Sequence, residues 1–124
     1  MDNNEFDRIA ETEKWLYNYK SIKAGIESLK EKKEILNNDG SEMDDSKRIT
    51  LDLLNSRIKS MQRKIEQIDR ALAALNKVER EIVTYKCIDG LYYYEFTYKV
   101  YKSERQCKRI KKIALKKMSI ALGL

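Results

Sequence analysis

The chain has 124 residues, with 26 Lys plus Arg against 20 Asp plus Glu, a net charge of +6, four Gly, no Pro and no His. That length holds one domain or two small modules and excludes a large enzyme, and the missing histidine removes the usual general base, proton shuttle and commonest metal ligand. With no proline and little glycine to punctuate a chain rich in Glu, Lys, Leu and Ile, helix is favoured throughout.

Residues 1–6 are polar and acidic with no apolar leader, and no apolar run approaches the roughly 18 residues of a membrane span. Cys87 and Cys107 stand far apart, without CxxC spacing; they suit neither a zinc site nor a disulfide framework, and are expected to be reduced thiols. The chain is expected to be cytoplasmic, neither exported nor membrane-spanning, with no catalytic residue, no metal and no cofactor.

From Trp15 the apolar residues step alternately by four and three through Tyr19, Ile22, Ile26 and Leu29, with Lys33 out of pattern and Leu36 resuming it. This predicts a helix over 5–36 with one continuous stripe, Trp15 belonging to its core or to an interface. Asn37-Asn38-Asp39-Gly40-Ser41 supplies C-cap and turn chemistry, and Asp44, Asp45 or Ser46 can N-cap a second helix. That helix, 46–75, repeats more strictly: Leu51, Leu54, Ile58, Met61, Ile65, Ile68, Leu72 and Leu75 keep 3-4 spacing without a lapse, the pattern of a coiled coil. The two helices are expected to form an antiparallel hairpin over 1–75. Two helices bury a thin core, so Leu51, Leu54, Ile58, Met61, Ile65, Ile68 and Leu72 are expected to mediate a homodimer or higher homo-oligomer. The pattern fits pairing within or between chains equally.

From Asn76 the heptad register lapses. Val78–Cys87 reads as a short helix, Asp89-Gly90 as a turn in which glycine takes positive φ, and Tyr92–Val100 as a second short helix. Ser103 can N-cap a third, running to about Leu122. There Cys107, Ile110, Ala114 and Met118 fall on one inner face, which turns Glu104, Arg105, Lys108, Arg109 and Lys112 outward. A short helix, a tight turn and a basic helix with an inner stripe match the helix-turn-helix pattern. The expected fold is all-α: a long N-terminal helical hairpin, then a three-helix helix-turn-helix module over 76–124.

Charge supports that division. Residues 1–45 hold 7 basic and 12 acidic side chains, whereas residues 76–124 hold 12 and 5. From Lys102 to Lys117 eight basic residues face one acid, Glu104, a footprint suited to a polyanion. Arg105 and Arg109, one turn apart near the start of the third helix, are placed to read base edges of double-stranded DNA. Glu104 can accept from cytosine or simply favour the helix N-terminus; Gln106 is a further base-reading candidate, and Lys108 reaches either a base or a phosphate. Lys102, Ser103, Lys111 and Lys112 suit phosphates, as do the hydroxyls of Tyr92 and Tyr93. Phe96, Val100 and Cys107 are core positions.

The segment Leu75-Asn-Lys-Val-Glu-Arg80-Glu-Ile-Val, then Tyr85, Asp89-Gly90-Leu91-Tyr-Tyr-Tyr-Glu95-Phe96-Thr97, Ser103, Cys107 and Ala114-Leu115-Lys116-Lys117-Met118 resembles the helix-turn-helix of sigma-70 region 4. The chain has no room for sigma region 2. Joined to a preceding coiled coil, it looks most like small phage and prophage transcription regulators of the ArpU and RinA type. It departs from the family at Thr97, where Ala is usual, at Lys99 and Lys102, where apolar residues are typical, and at Tyr101, where a turn glycine is typical. A bulky residue in a left-handed turn is strained, so this turn is either strained or remodelled.

The leading expectation is a non-enzymatic, sequence-specific DNA-binding transcription regulator. Late-gene activation in a phage or prophage, and contact with host RNA polymerase, are what the resemblance implies. A small terminase-like DNA-packaging subunit, which would assemble as a ring, and an adaptor binding sigma factor or RNA polymerase are the alternatives.

Overall fold

The computed structural model describes residues 3–124, all-helical with no strand among them. The single helix expected over 5–36 is two, α1 (Asn3–Tyr17) and α2 (Tyr19–Asn37). They part at Asn18, a residue whose side chain competes with helical hydrogen bonding. Next come α3 (Asp45–Ala73), α4 (Lys77–Val83) continuing into a π-helical segment Thr84–Ile88, α5 (Tyr93–Val100) and α6 (Glu104–Ala121).

Two compact units divide the chain, one of residues 20–66 and one of the described residues up to Tyr19 with Gln67–Leu124. This division does not fall at the boundary expected at residue 75. In the first unit Ile26, Leu29 and Ile58 are buried, with Ile22, Leu54, Met61 and Ile65 packed around them. The 3-4 stripe of α3 is therefore covered here by the chain's own α2, and Leu51 is buried too. Leu54, Met61 and Ile65 remain partly exposed. The turn is tied by Asp39, whose carboxylate accepts from the Ser41 amide at 2.9 Å and from Lys47 Nζ at 3.0 Å. Hydrogen bonds from Ser41, and then from Lys47, hold its carboxyl down to about 2. Of the three candidates, Asp44 caps α3, accepting from the Lys47 amide at 2.7 Å.

The second unit has two apolar centres. Leu16 of α1, Ile68, Ala71 and Leu75 around the end of α3, and Val83, Ala114, Leu115 and Met118 share one. Ile68 and Leu72 thus belong here, not to a coil: the uninterrupted stripe serves two different cores. Trp15 packs at the edge of this core and donates from Nε1 to Glu11 at 3.2 Å. Ile82, Phe96, Val100 and Cys107 form the other centre, binding α4, α5 and α6 together.

Local capping fixes the ends of these three helices. Asn76 accepts from the Glu79 amide while the Glu79 carboxylate accepts from the Asn76 amide, both at 2.9 Å, a reciprocal capping box. Gly90 closes the turn after the π-helical segment with φ +68°. Glu95 accepts from the Tyr92 amide at 2.9 Å at the start of α5. At its end Tyr101 adopts φ 56°, ψ 40°, and the Lys102 amide reaches back to the Thr97 carbonyl at 3.3 Å. The turn keeps the left-handed geometry that glycine normally fills, so Tyr101 is strained and the turn is not remodelled.

Candidate nucleic-acid interface

α6 is oriented by its inner face. Cys107, Ala114, Leu115, Met118 and Ser119 are buried, so rotation about the helix axis would cost burial in both apolar centres. Its first turn is fixed by Ser103, whose Oγ accepts from the Gln106 amide at 3.1 Å, while Gln106 Oε1 accepts from the Ser103 amide at 2.9 Å. Burial on one side leaves Arg105, Arg109 and Lys112 exposed on the other, at the helical spacing that puts them in one row. Among the described residues none of these three makes an ion pair.

The remaining candidates are distributed around this row. Glu104 is exposed and lies 3.9 Å from Lys108 Nζ, and Lys108 also sits 5.5 Å above the Tyr93 ring. Lys102 is half-buried and lines a groove on one flank of α6 with Lys77, Val78, Ile110 and Ile113; Lys108 and Lys112 line a groove with residues of α1. Tyr92 is 64% exposed, stacked on Tyr94 at 5.7 Å between ring centroids, with Lys86 Nζ at 5.8 Å.

Three candidates are occupied otherwise than expected. Gln106 is the second half of the capping box, so its carbonyl oxygen is engaged with backbone. Lys111 is 21% exposed and lies 3.8 Å from Glu13 of α1, which makes it a tie between α1 and α6 before it is a phosphate ligand. Tyr93 packs against the Phe96 core, and burial first of all pushes its pKa up.

Lys116 is absent from the expected set. It stands four residues beyond Lys112 and continues the basic row, a spacing visible in the sequence, but it is paired with Glu5 of α1 at 2.7 Å. Acidic α1 thus pairs with α6 at both Lys111 and Lys116. Lys86, over the rings of Tyr92 and Tyr93, is absent from that set as well; only the fold brings it there.

Burial pushes the Cys87 thiol up to about 11 and raises Cys107 as well, so both stay protonated and unreactive at neutral pH. No Cys, Asp and Glu side chains converge in threes as a metal would require among the described residues, and no described helix is long and apolar enough to cross a membrane. Compared with known proteins, the chain matches no family model, no curated protein and no solved structure.

Proposed function

We propose that the chain is a sequence-specific, non-enzymatic DNA-binding transcription regulator, in which α4, α5 and α6 act as a helix-turn-helix and α6 enters the major groove. The observation that carries this reading is the exposed row Arg105, Arg109 and Lys112 on a helix whose opposite face is locked into two apolar centres. Such a row presents rigid cations at the helical end where side chains reach base edges. Arg105 and Arg109 can make bidentate contacts to guanine, each worth about 1–3 kcal/mol of discrimination. Lys112, with Lys102 and Lys108 on the two flanks of the row, supplies phosphate contacts that set affinity without reading sequence. The Ser103 hydroxyl accepts the Gln106 amide and keeps its proton to donate to a phosphate. The sigma region 4-like spacing favours transcription control over DNA packaging, and the ArpU and RinA resemblance favours phage late genes and contact with RNA polymerase. A homo-oligomer would use the part of the α3 stripe that α2 leaves exposed, Leu54, Met61 and Ile65 among it.

Selection of bound duplexes from a random-sequence library, followed by titration of the enriched site against random duplex, tests the reading. Arg109→Ala should relax sequence preference, whereas Lys112→Ala should weaken all duplexes alike and lower the salt slope by about one unit. Equal losses on specific and random DNA for both variants would refute the division of roles, and no enrichment of any sequence would refute the function.

A further inference from the structure

A groove of about 400 Å³ runs between α1 and α6, within the size range of small-molecule sites. Its walls differ in character. Phe6 and Ile9 of α1 and Leu115 of α6 give it an apolar side, Phe6 being 64% exposed and Leu115 only 1%. Lys108, Lys111 and Lys112 form the other side, where Glu13 and Tyr93 also line the groove. The charge there is only partly answered: Lys111 faces Glu13 at 3.8 Å, Lys108 faces Glu104 at 3.9 Å, and Lys112 has no acidic partner among the described residues. An ammonium without an acidic partner and an exposed aromatic ring thus line one groove.

We infer that this groove binds a small amphipathic monoanion, an alkyl or aryl carboxylate, and that its occupancy opposes DNA binding. The apolar portion would cover Phe6 and Ile9, releasing the water that now wets them, and the carboxylate would meet Lys112. A monoanion fits better than a dianion because a second negative charge would find its lysines already facing Glu13 and Glu104. The coupling rests on the DNA-binding reading: a carboxylate on Lys112 occupies the cation that would meet a phosphate, and the linkage is reciprocal.

Octanoate, with 1-octanol as its neutral counterpart, serves as the probe in a titration of the isotope-labelled full chain followed by amide NMR in the absence of DNA. Octanoate should shift amides of residues 6–13 and 108–115 saturably, and 1-octanol should bind about fivefold more weakly, the loss of one surface charge contact. Phe6→Ser should weaken octanoate about fivefold and leave duplex affinity unchanged, since Phe6 lies outside the DNA-facing row. Shifts that are absent, scattered over the chain or equal for the alcohol would overturn the site, whatever the protein does with DNA. A duplex titration at saturating octanoate then tests the coupling. Weaker binding supports it, and unchanged binding overturns it while leaving the site intact. A protein with no duplex affinity at all would still report on the groove through the NMR arm.

Discussion

Tyr101 is held in a left-handed conformation at φ 56° with its side chain 90% exposed, so it bears backbone strain and gains almost no packing in return. A non-glycine residue there costs about 1–2 kcal/mol, and glycine removes that cost while adding about 0.5–1 kcal/mol of unfolded-state entropy to be lost on folding. Tyr101→Gly should therefore stabilise the protein by about 0.5–1 kcal/mol, a rise in Tm of about 2–5 °C for a chain of this size. Tyr101→Ala is the control, since it removes the same exposed ring but keeps the Cβ that creates the strain; it should leave stability within about 0.5 kcal/mol. Calorimetry and urea denaturation, run on all three proteins, give the comparison. If glycine is no more stable than alanine, the left-handed turn is not strained.

Glu79 is buried, and Lys117 Nζ lies 2.7 Å from its Oε2. Burial would raise its carboxyl, but the hydrogen bonds from Lys117 and the Asn76 amide outweigh it and hold the pKa below the ordinary value. A group depressed on folding stabilises the protein above its unfolded pKa, and that stability is lost as pH falls through the folded value. Glu79→Gln should cost about 1–2 kcal/mol at neutral pH and flatten the acid limb of a stability-versus-pH curve; an unchanged acid limb would show that the pair carries no linkage. Gly25 lies inside α2, and a Cβ there would approach only the flexible Met61 Cε, at 2.7 Å. Met61 can turn aside, so Gly25→Ala should stabilise by about 0.5–1 kcal/mol through helix propensity; a destabilised variant would mean that α2 and α3 approach too closely for a methyl group.

The C-terminal helices are legible in the sequence because their punctuation is local. Ser103 and Gln106 at cap spacing, the glycine at 90 and the inner row through Cys107, Ala114 and Met118 all lie within a few residues of what they determine. The same capping spacing, Ser-x-x-Gln, is the signal that assigns the Gln106 carbonyl oxygen to helix initiation. The N-terminal half departs from its expected form because periodicity identifies a face and not its partner. Trp15, Tyr19 and Ile22 keep perfect spacing through Asn18, although the residues most deeply buried in α1 are Thr12 and Leu16. In the same way one unbroken stripe on α3 spans two cores, and no step in spacing marks where Ile65 gives way to Ile68. The pairing of Glu5 and Glu13 with Lys116 and Lys111 depends on helices from opposite ends of the chain, so only the fold reveals it.

The packing of α1 on α6 also sets an order of events during synthesis. Helix α1 leaves the ribosome well before α6, so Leu16 must wait through about a hundred residues of synthesis before Leu115 and Met118 arrive to cover it. At about 5–20 residues per second that interval is far longer than the microseconds a helix needs to form. Residues 20–66, whose contacts lie within one continuous stretch, can pair while translation proceeds. The unit that carries the basic row closes only once α6 has emerged as well, and an α1 displaying Ile9 and Leu16 to solvent is the nascent protein's exposed liability until then.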